Sequence, residues 1–355
     1  MHADVRAVSE LGLGSALAAN EHAYRAVRFA LAATIATLMG YGSGFELPFL
    51  VPVLASGFFA KPAPRPNLRT ALGLILVISG ASFMGLVLAR LLLPYPQIFL
   101  LVAFLVLFRI FYFKAGGGSP LAVVFFLVGV TVIPIVALES MALGTAIATA
   151  LAAGSVMVIV TVLLTFGLMP DLPEWQATAA AAAAATPAPS PLERARTAML
   201  STGVVFPVFA VFYMLGMTDS LLILVFIAML SLVPSFTVGK AAGRAMIRGN
   251  LIGGLGSLVF YNLLIVYPSF AFFLPLTFAT GLLFGRVIYS GRSYAPLFAT
   301  GFNTVMLMIG MSVAFVGTEA MAKFYTRIFQ IMIAVGYVVV AFGFLELLAR
   351  KRAVR

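Results

Sequence analysis

The chain has 355 residues, 63% of them hydrophobic and 9% charged, with a mean hydropathy of +1.12. A soluble domain carries about 25% charged residues, so the composition excludes a water-soluble globular fold. The net charge of +11 sits in short loops between apolar runs, where membrane orientation accounts for it and nucleic acid does not.

No cysteine is present, which excludes disulfides, thiolate nucleophiles and cysteine metal sites. Both histidines, His2 and His22, precede the first apolar run, so no histidine proton relay is expected in the membrane. Met1 to Asn20 has no uninterrupted apolar core behind a basic start, and no cleavable signal peptide is expected.

A spanning helix needs roughly 20 mostly apolar residues. In chain order the apolar runs predict helices at 26–42, 46–60, 70–93, 97–113, 120–138 and 141–169. A second series follows at 197–216, 219–237, 249–267, 270–289, 295–315 and 324–349. The pairs 26–42/46–60 and 197–216/219–237 fit either tight hairpins or partly re-entrant segments. Backbone polar groups in lipid must pair within a helix or a closed barrel. Long runs such as Leu72 to Leu93 select the helix. The expected fold is therefore an all-α integral membrane protein with about twelve spans.

The expected divisions are an N-terminal segment 1–23, a first bundle 24–169, an Ala/Pro-rich linker 170–193, a second bundle 194–349 and a basic tail 350–355. The linker carries the run Ala177 to Ala185 and then Pro187, Pro189 and Pro191, with no apolar pattern to build a domain. Of the 22 basic residues, 19 fall on one side of the predicted spans and only Arg90, Lys323 and Arg327 on the other. Lysine and arginine concentrate in cytoplasmic loops, so both termini and the linker are expected in the cytoplasm.

The two series match each other. Lys240 against Lys61, Arg244 against Arg65 and Arg248 against Arg69 all differ by 179. Arg109-Ile-Phe-Tyr112 matches Arg286-Val-Ile-Tyr289, and Glu139-Ser-Met-Ala142 matches Glu319-Ala-Met-Ala322. With an even number of spans in each copy, both enter the membrane in the same direction. That predicts two parallel six-helix repeats related by an axis along the membrane normal.

Among the cations within these spans, Arg109 and Arg286 occupy equivalent positions inside apolar runs, each followed three residues on by Tyr112 or Tyr289. Facing the bundle interior, such a guanidinium would hold a carboxylate in bidentate fashion; placed near a helix end, it would instead snorkel to the surface. Lys61, Arg65, Arg69, Lys240, Arg244 and Arg248 read as orientation anchors, with an anion-gathering cytoplasmic mouth as the alternative. Glu46, Asp219, Glu139 and Glu319 are the acids near the outer ends of spans and the candidates for proton coupling. Glu319 has the alternative of pairing with Lys323 one turn away. Gly73, Gly80, Gly85, Gly249, Gly253 and Gly256 read as close helix contacts, and Asn262 and Asn303 as polar links between helices. No phosphate-binding loop, metal-ligand spacing or exposed nucleophile appears, so neither an enzyme nor a bound cofactor or metal is expected.

A resemblance rests on four features: Arg25-Ala-Val-Arg28 opening the first helix, a proline-containing second helix, a basic loop ending in Arg69, and Gly73 and Gly80 in the third helix. This pattern resembles the fusaric acid resistance and aromatic acid exporter family and is more distantly similar to the plant aluminium-activated malate transporters. It covers about 24–169 and 194–349. In the second half it departs from the pattern, because Arg248 is followed by Gly249 and Gly253. The resemblance implies a bacterial inner-membrane secondary exporter of small organic, including aromatic, acids. It also implies a periplasmic membrane-fusion adaptor as partner, beside the lipid bilayer and a second copy of the chain. A passive anion channel and a scaffold subunit of an efflux complex stay open as alternatives.

The charge distribution makes the first prediction. Cysteines introduced at Ala181 and at Ser220 will react with impermeant reagents from opposite sides of the membrane, Ala181 from the cytoplasm. Labelling of both from one side reverses the assigned topology.

Overall fold

The computed structural model describes residues 21–45, 47–60, 65–118, 120–170, 190–218, 221–232, 236–313, 326, 329–330 and 332–344. Among them the structure is helical, without a strand. The helices are α1 (Glu21–Gly42), α2 (Leu50–Phe59), α3 (Leu68–Leu92), α4 (Pro96–Ala115), α5 (Pro120–Glu139) and α6 (Met141–Leu168). They continue as α7 (Pro191–Leu215), α8 (Leu221–Leu230), α9 (Phe236–Val266), α10 (Phe270–Ile288), α11 (Ala295–Val313) and α12 (Met332–Phe344). Seven are long and apolar enough to cross a membrane, namely α3, α4, α5, α6, α7, α9 and α10; α2, α11 and α12 are shorter apolar helices. The linker between 171 and 189 lies outside the described residues.

Local chemistry sets several boundaries. Ser190 opens α7 with a reciprocal cap: its hydroxyl accepts the Glu193 N–H at 3.3 Å and the Glu193 carboxylate accepts the Ser190 N–H at 2.9 Å. Pro191 follows at the first helical position, where its missing N–H costs nothing. Gly216 ends the helix in the left-handed conformation at φ +61°. α9 begins well before the run predicted at 249–267, so the helix takes in Lys240, Arg244 and Arg248. Their spacing of four sets them along one helical face.

The chain divides into two compact units, and each draws helices from both sequence halves. The first holds α1, α2, α10, α11, the end of α6 from Met157 and α9 from Arg248. The second holds α3, α4, α5, α7, α8, α12 and the remaining parts of α6 and α9. The two units use the same set of helix neighbours. In the first, α1 packs on α10 and α2, α2 on α11, and α10 on α11. In the second, α7 packs on α4 and α8, α8 on α5, and α4 on α5. Exchanging each helix for the one six places away turns one set into the other. The extensive α3–α5 contact has its counterpart where α9 meets α11 at Gly249 and Gly253.

Small residues make these contacts close. A β-carbon on Gly85 of α3 would stand 1.8 Å from the Gly129 carbonyl oxygen of α5, and one on Gly129 would stand 2.2 Å from the Ala81 carbonyl oxygen. A β-carbon on Gly253 of α9 would stand 2.3 Å from the Gly301 carbonyl oxygen of α11. Gly281 and Gly285 of α10 likewise sit against Ala30 and Ala26 of α1. Gly73 and Gly80 differ: nothing lies within 4 Å of a β-carbon on either, so close packing does not explain them.

These contrasts predict two outcomes on one helix. Gly85→Ala will destabilise the protein by about 1–3 kcal/mol through overpacking, read as a lower melting temperature in detergent. Gly80→Ala will be neutral or slightly stabilising, since alanine is the better helix former.

Candidate functional site

The first unit carries a charge in its interior. α1 opens with an ion pair one turn long, Arg25 Nη2 to Glu21 Oε1 at 2.6 Å. Arg28 follows, seven residues or about 10 Å along the helix axis from Glu21. It is only 4% exposed, and among the described residues it is the charged side chain in the buried set. Its guanidinium carbon lies 4.7 Å from the ring centroid of Phe166 on α6. A desolvated cation over an aromatic face gains about 2 kcal/mol, an offset to the cost of burial.

Aromatic rings from five helices surround this point. Phe166 stacks on Phe59 of α2, with centroids 5.5 Å apart. Phe29 of α1 meets Tyr289 edge-on at 6.4 Å and Phe302 of α11 at 4.8 Å. The Tyr289 hydroxyl donates to the Phe59 carbonyl. That carbonyl belongs to the last turn of α2, where the helix supplies no partner of its own. Tyr289 therefore ties the end of α10 to the end of α2.

Farther into the same unit, polar side chains pair across helices. Ser56 of α2 donates to Asn303 Oδ1 of α11, and Thr304 of α11 donates to Asn250 Oδ1 of α9 at 2.8 Å. Asn303 is thus a link between helices. Asn262 instead bonds its own helix, to the Leu258 carbonyl at 2.7 Å.

The second unit has no comparable polar interior at its crevice between α5 and α8. Val124, Leu127, Val128, Thr131, Val225 and Ala228 line it, and the Thr131 hydroxyl is taken by the Leu127 carbonyl at 2.7 Å.

The residues expected to bind substrate divide between the units. Arg109 stands on an exposed face of α4, its guanidinium carbon 5.9 Å from the ring centroid of half-buried Tyr112. Arg286 stands on an exposed face of α10, while Tyr289 beside it is buried. Neither arginine is buried in the interior of its own unit. Arg65, Arg69, Arg244 and Arg248 are exposed, and so is Glu139 at the end of α5. Lys240 lies in α9 with its side chain outside the described residues. Lys61, Glu46, Asp219 and Glu319 lie outside them altogether. Among the described residues no group of three or more His, Cys, Asp or Glu side chains comes together to hold a metal.

Arg28 entered the sequence reading only as part of Arg25-Ala-Val-Arg28 and as an orientation charge. The available signal was its place inside the apolar run 26–42, where a cation needs a reason to be.

A family model described as "Protein of unknown function (DUF2955)" matches residues 25–165. The chain is similar to that family from α1 into α6, a span that includes Arg28 and ends one residue before Phe166. No curated protein and no solved structure matches the chain.

The two tyrosines at equivalent sequence positions are expected to behave differently. Tyr289→Phe removes the only donor shown for the Phe59 carbonyl and will cost about 1–3 kcal/mol in thermal or denaturant unfolding. Tyr112, whose hydroxyl makes no hydrogen bond among the described residues, will tolerate the same change to phenylalanine.

Proposed function

We propose that this membrane protein is a secondary transporter that exports small organic acids across the bacterial plasma membrane. The observation that carries the reading is Arg28, buried in a helix bundle against the face of Phe166. Ionisable side chains that face the interior of a membrane bundle commonly mark substrate or ion pathways. In this reading the fork of Arg28 receives the carboxylate, and the rings of Phe29, Phe59, Phe166 and Tyr289 receive the organic body of the acid. The resemblance to the aromatic acid exporters supports the substrate class.

In the same reading the chain is two parallel copies of six helices, α1–α6 and α7–α12, with both termini in the cytoplasm. The four neighbour pairs that recur in both units support that duplication. Two units built alike but furnished differently suit an exporter with its anion site in one of them. The exposed arginines Arg65, Arg69, Arg244 and Arg248 then attract anions to the cytoplasmic side. Glu139, with Glu46, Asp219 and Glu319, remains the set from which proton coupling would come. A periplasmic adaptor would complete the export path.

The test is transport by the full chain in proteoliposomes, with benzoate as the aromatic probe and malate as the aliphatic one. Arg28→Ala will reduce benzoate flux by about 10- to 100-fold, the size of a lost charge-assisted hydrogen bond. Arg28→Lys keeps the charge but loses the planar fork and will fall between. Wild-type flux in Arg28→Ala, at equal incorporation, removes the site. Flux that persists at fixed voltage after the proton gradient is collapsed makes the protein a passive channel instead of an exporter.

A further inference from the structure

Arg109 and Arg286 are exposed, yet each stands at the end of an exposed stripe and not in a polar loop. On α4, Gln97, Leu101, Leu105, Arg109 and Phe113 are exposed at a spacing of four. A spacing of four keeps them on one side of the helix. Leu101 is 62% and Leu105 52% exposed, which in a membrane protein is a face offered to acyl chains. From Leu101 to Arg109 this stripe runs about 12 Å, close to one leaflet of a hydrocarbon core roughly 30 Å thick. On α10, Ala271, Pro275, Ala279 and Leu283 form the same kind of exposed row, and Arg286 follows them.

Among the described residues neither Arg109 nor Arg286 makes an ion pair. Their surroundings add positive charge. Lys114 closes the last turn of α4. The Arg194 guanidinium lies against Gly116 just beyond it, 3.2 Å from where a β-carbon on that glycine would be. Beyond α10, Arg292 is held against Tyr294 by a hydrogen bond and a cation–π contact at 5.7 Å. Each site thus joins an acyl-length apolar face to a guanidinium that meets no acid among the described residues, with Lys114 and Arg194 near the first and Arg292 beyond the second. Arginine is the side chain whose planar fork matches a phosphate.

We infer that Arg109 and Arg286 each bind the phosphate of an anionic phospholipid, whose acyl chain lies along the stripe of α4 or α10. The two sites are independent of the transport reading, since neither involves Arg28 or its aromatic surroundings. An anionic lipid gains its headgroup from the basic cluster and its tail from the helix face. A zwitterionic lipid gains only the tail, and free phosphate only the charge.

Native mass spectrometry of the full chain in detergent tests this, with phosphatidylglycerol and phosphatidylcholine of the same acyl chains titrated separately. The wild type will retain two phosphatidylglycerol molecules in preference to phosphatidylcholine, by about fivefold for each arginine. Arg109→Gln and Arg286→Gln will each lose one of the two, and the double variant will lose the preference. Arg109→Lys, which keeps the charge, will keep most of it and so show that the glutamine variant lost charge and not fold. Arg90→Gln, at an exposed arginine in the last turn of α3, will leave it unchanged. A double variant that still prefers phosphatidylglycerol overturns the proposal. So does inorganic phosphate displacing the lipid, because the acyl stripe is then irrelevant.

Discussion

In hydrocarbon an apolar side chain gains nothing by leaving its surroundings for another apolar side chain, so spanning helices are held where their backbones can come close. This chain meets that condition with glycine and alanine at a few contacts. Gly85 and Gly129 bring α3 and α5 together, Gly253 and Gly301 join α9 to α11, and Gly281 and Gly285 seat α10 on Ala30 and Ala26 of α1. At each of these points one added methyl group would meet backbone. Larger residues then fill the space that the close crossings define, with Phe29, Phe166 and Phe302 in one unit and Phe99, Phe111 and Phe209 in the other.

Polar groups are admitted under an equally strict rule. Many buried hydroxyls are satisfied inside their own helix, as when Thr37, Thr165 and Thr277 bond the carbonyl four residues earlier. Among the described residues, bonds to other helices include Ser56 to Asn303, Thr304 to Asn250 and Tyr289 to Phe59 in the first unit, and Ser201 to the Ser231 carbonyl and Tyr337 to the Val204 carbonyl in the second. Against so frugal a background a guanidinium 4% exposed is conspicuous. The cluster around Arg28 brings together the cation, the ring beneath it and the hydrogen bond of Tyr289, three features that the rest of the bundle spreads thinly.

The helices were legible because length and hydropathy are one-dimensional properties. α3, α4, α5, α6 and α10 fall within a few residues of the runs that announced them. Which face of each helix packs was not legible, because helices such as α5 and α6 are apolar on every side and carry no stripe to read. That is why Arg109 and Arg28 traded places. Both are cations near the ends of apolar runs, and only the rotation of each helix in its packing decides that one faces out and the other in. The exchange of helices between sequence halves was hidden for a related reason. Offsets between matching residues say which segments are alike, not which ones touch.

That exchange has a consequence for how the protein is made. Ala30 packs on Gly281, and 251 residues separate them (281 less 30). At a synthesis rate of about 5–20 residues per second, α1 waits on the order of 10–50 s in the membrane before α10 exists. Through that interval Arg28 has no finished interior to enter, although Phe59 and Phe166 arrive earlier. The nascent first half is therefore an open assembly, exposed to membrane chaperones and proteases, and the last helices to emerge decide whether the first ones are kept.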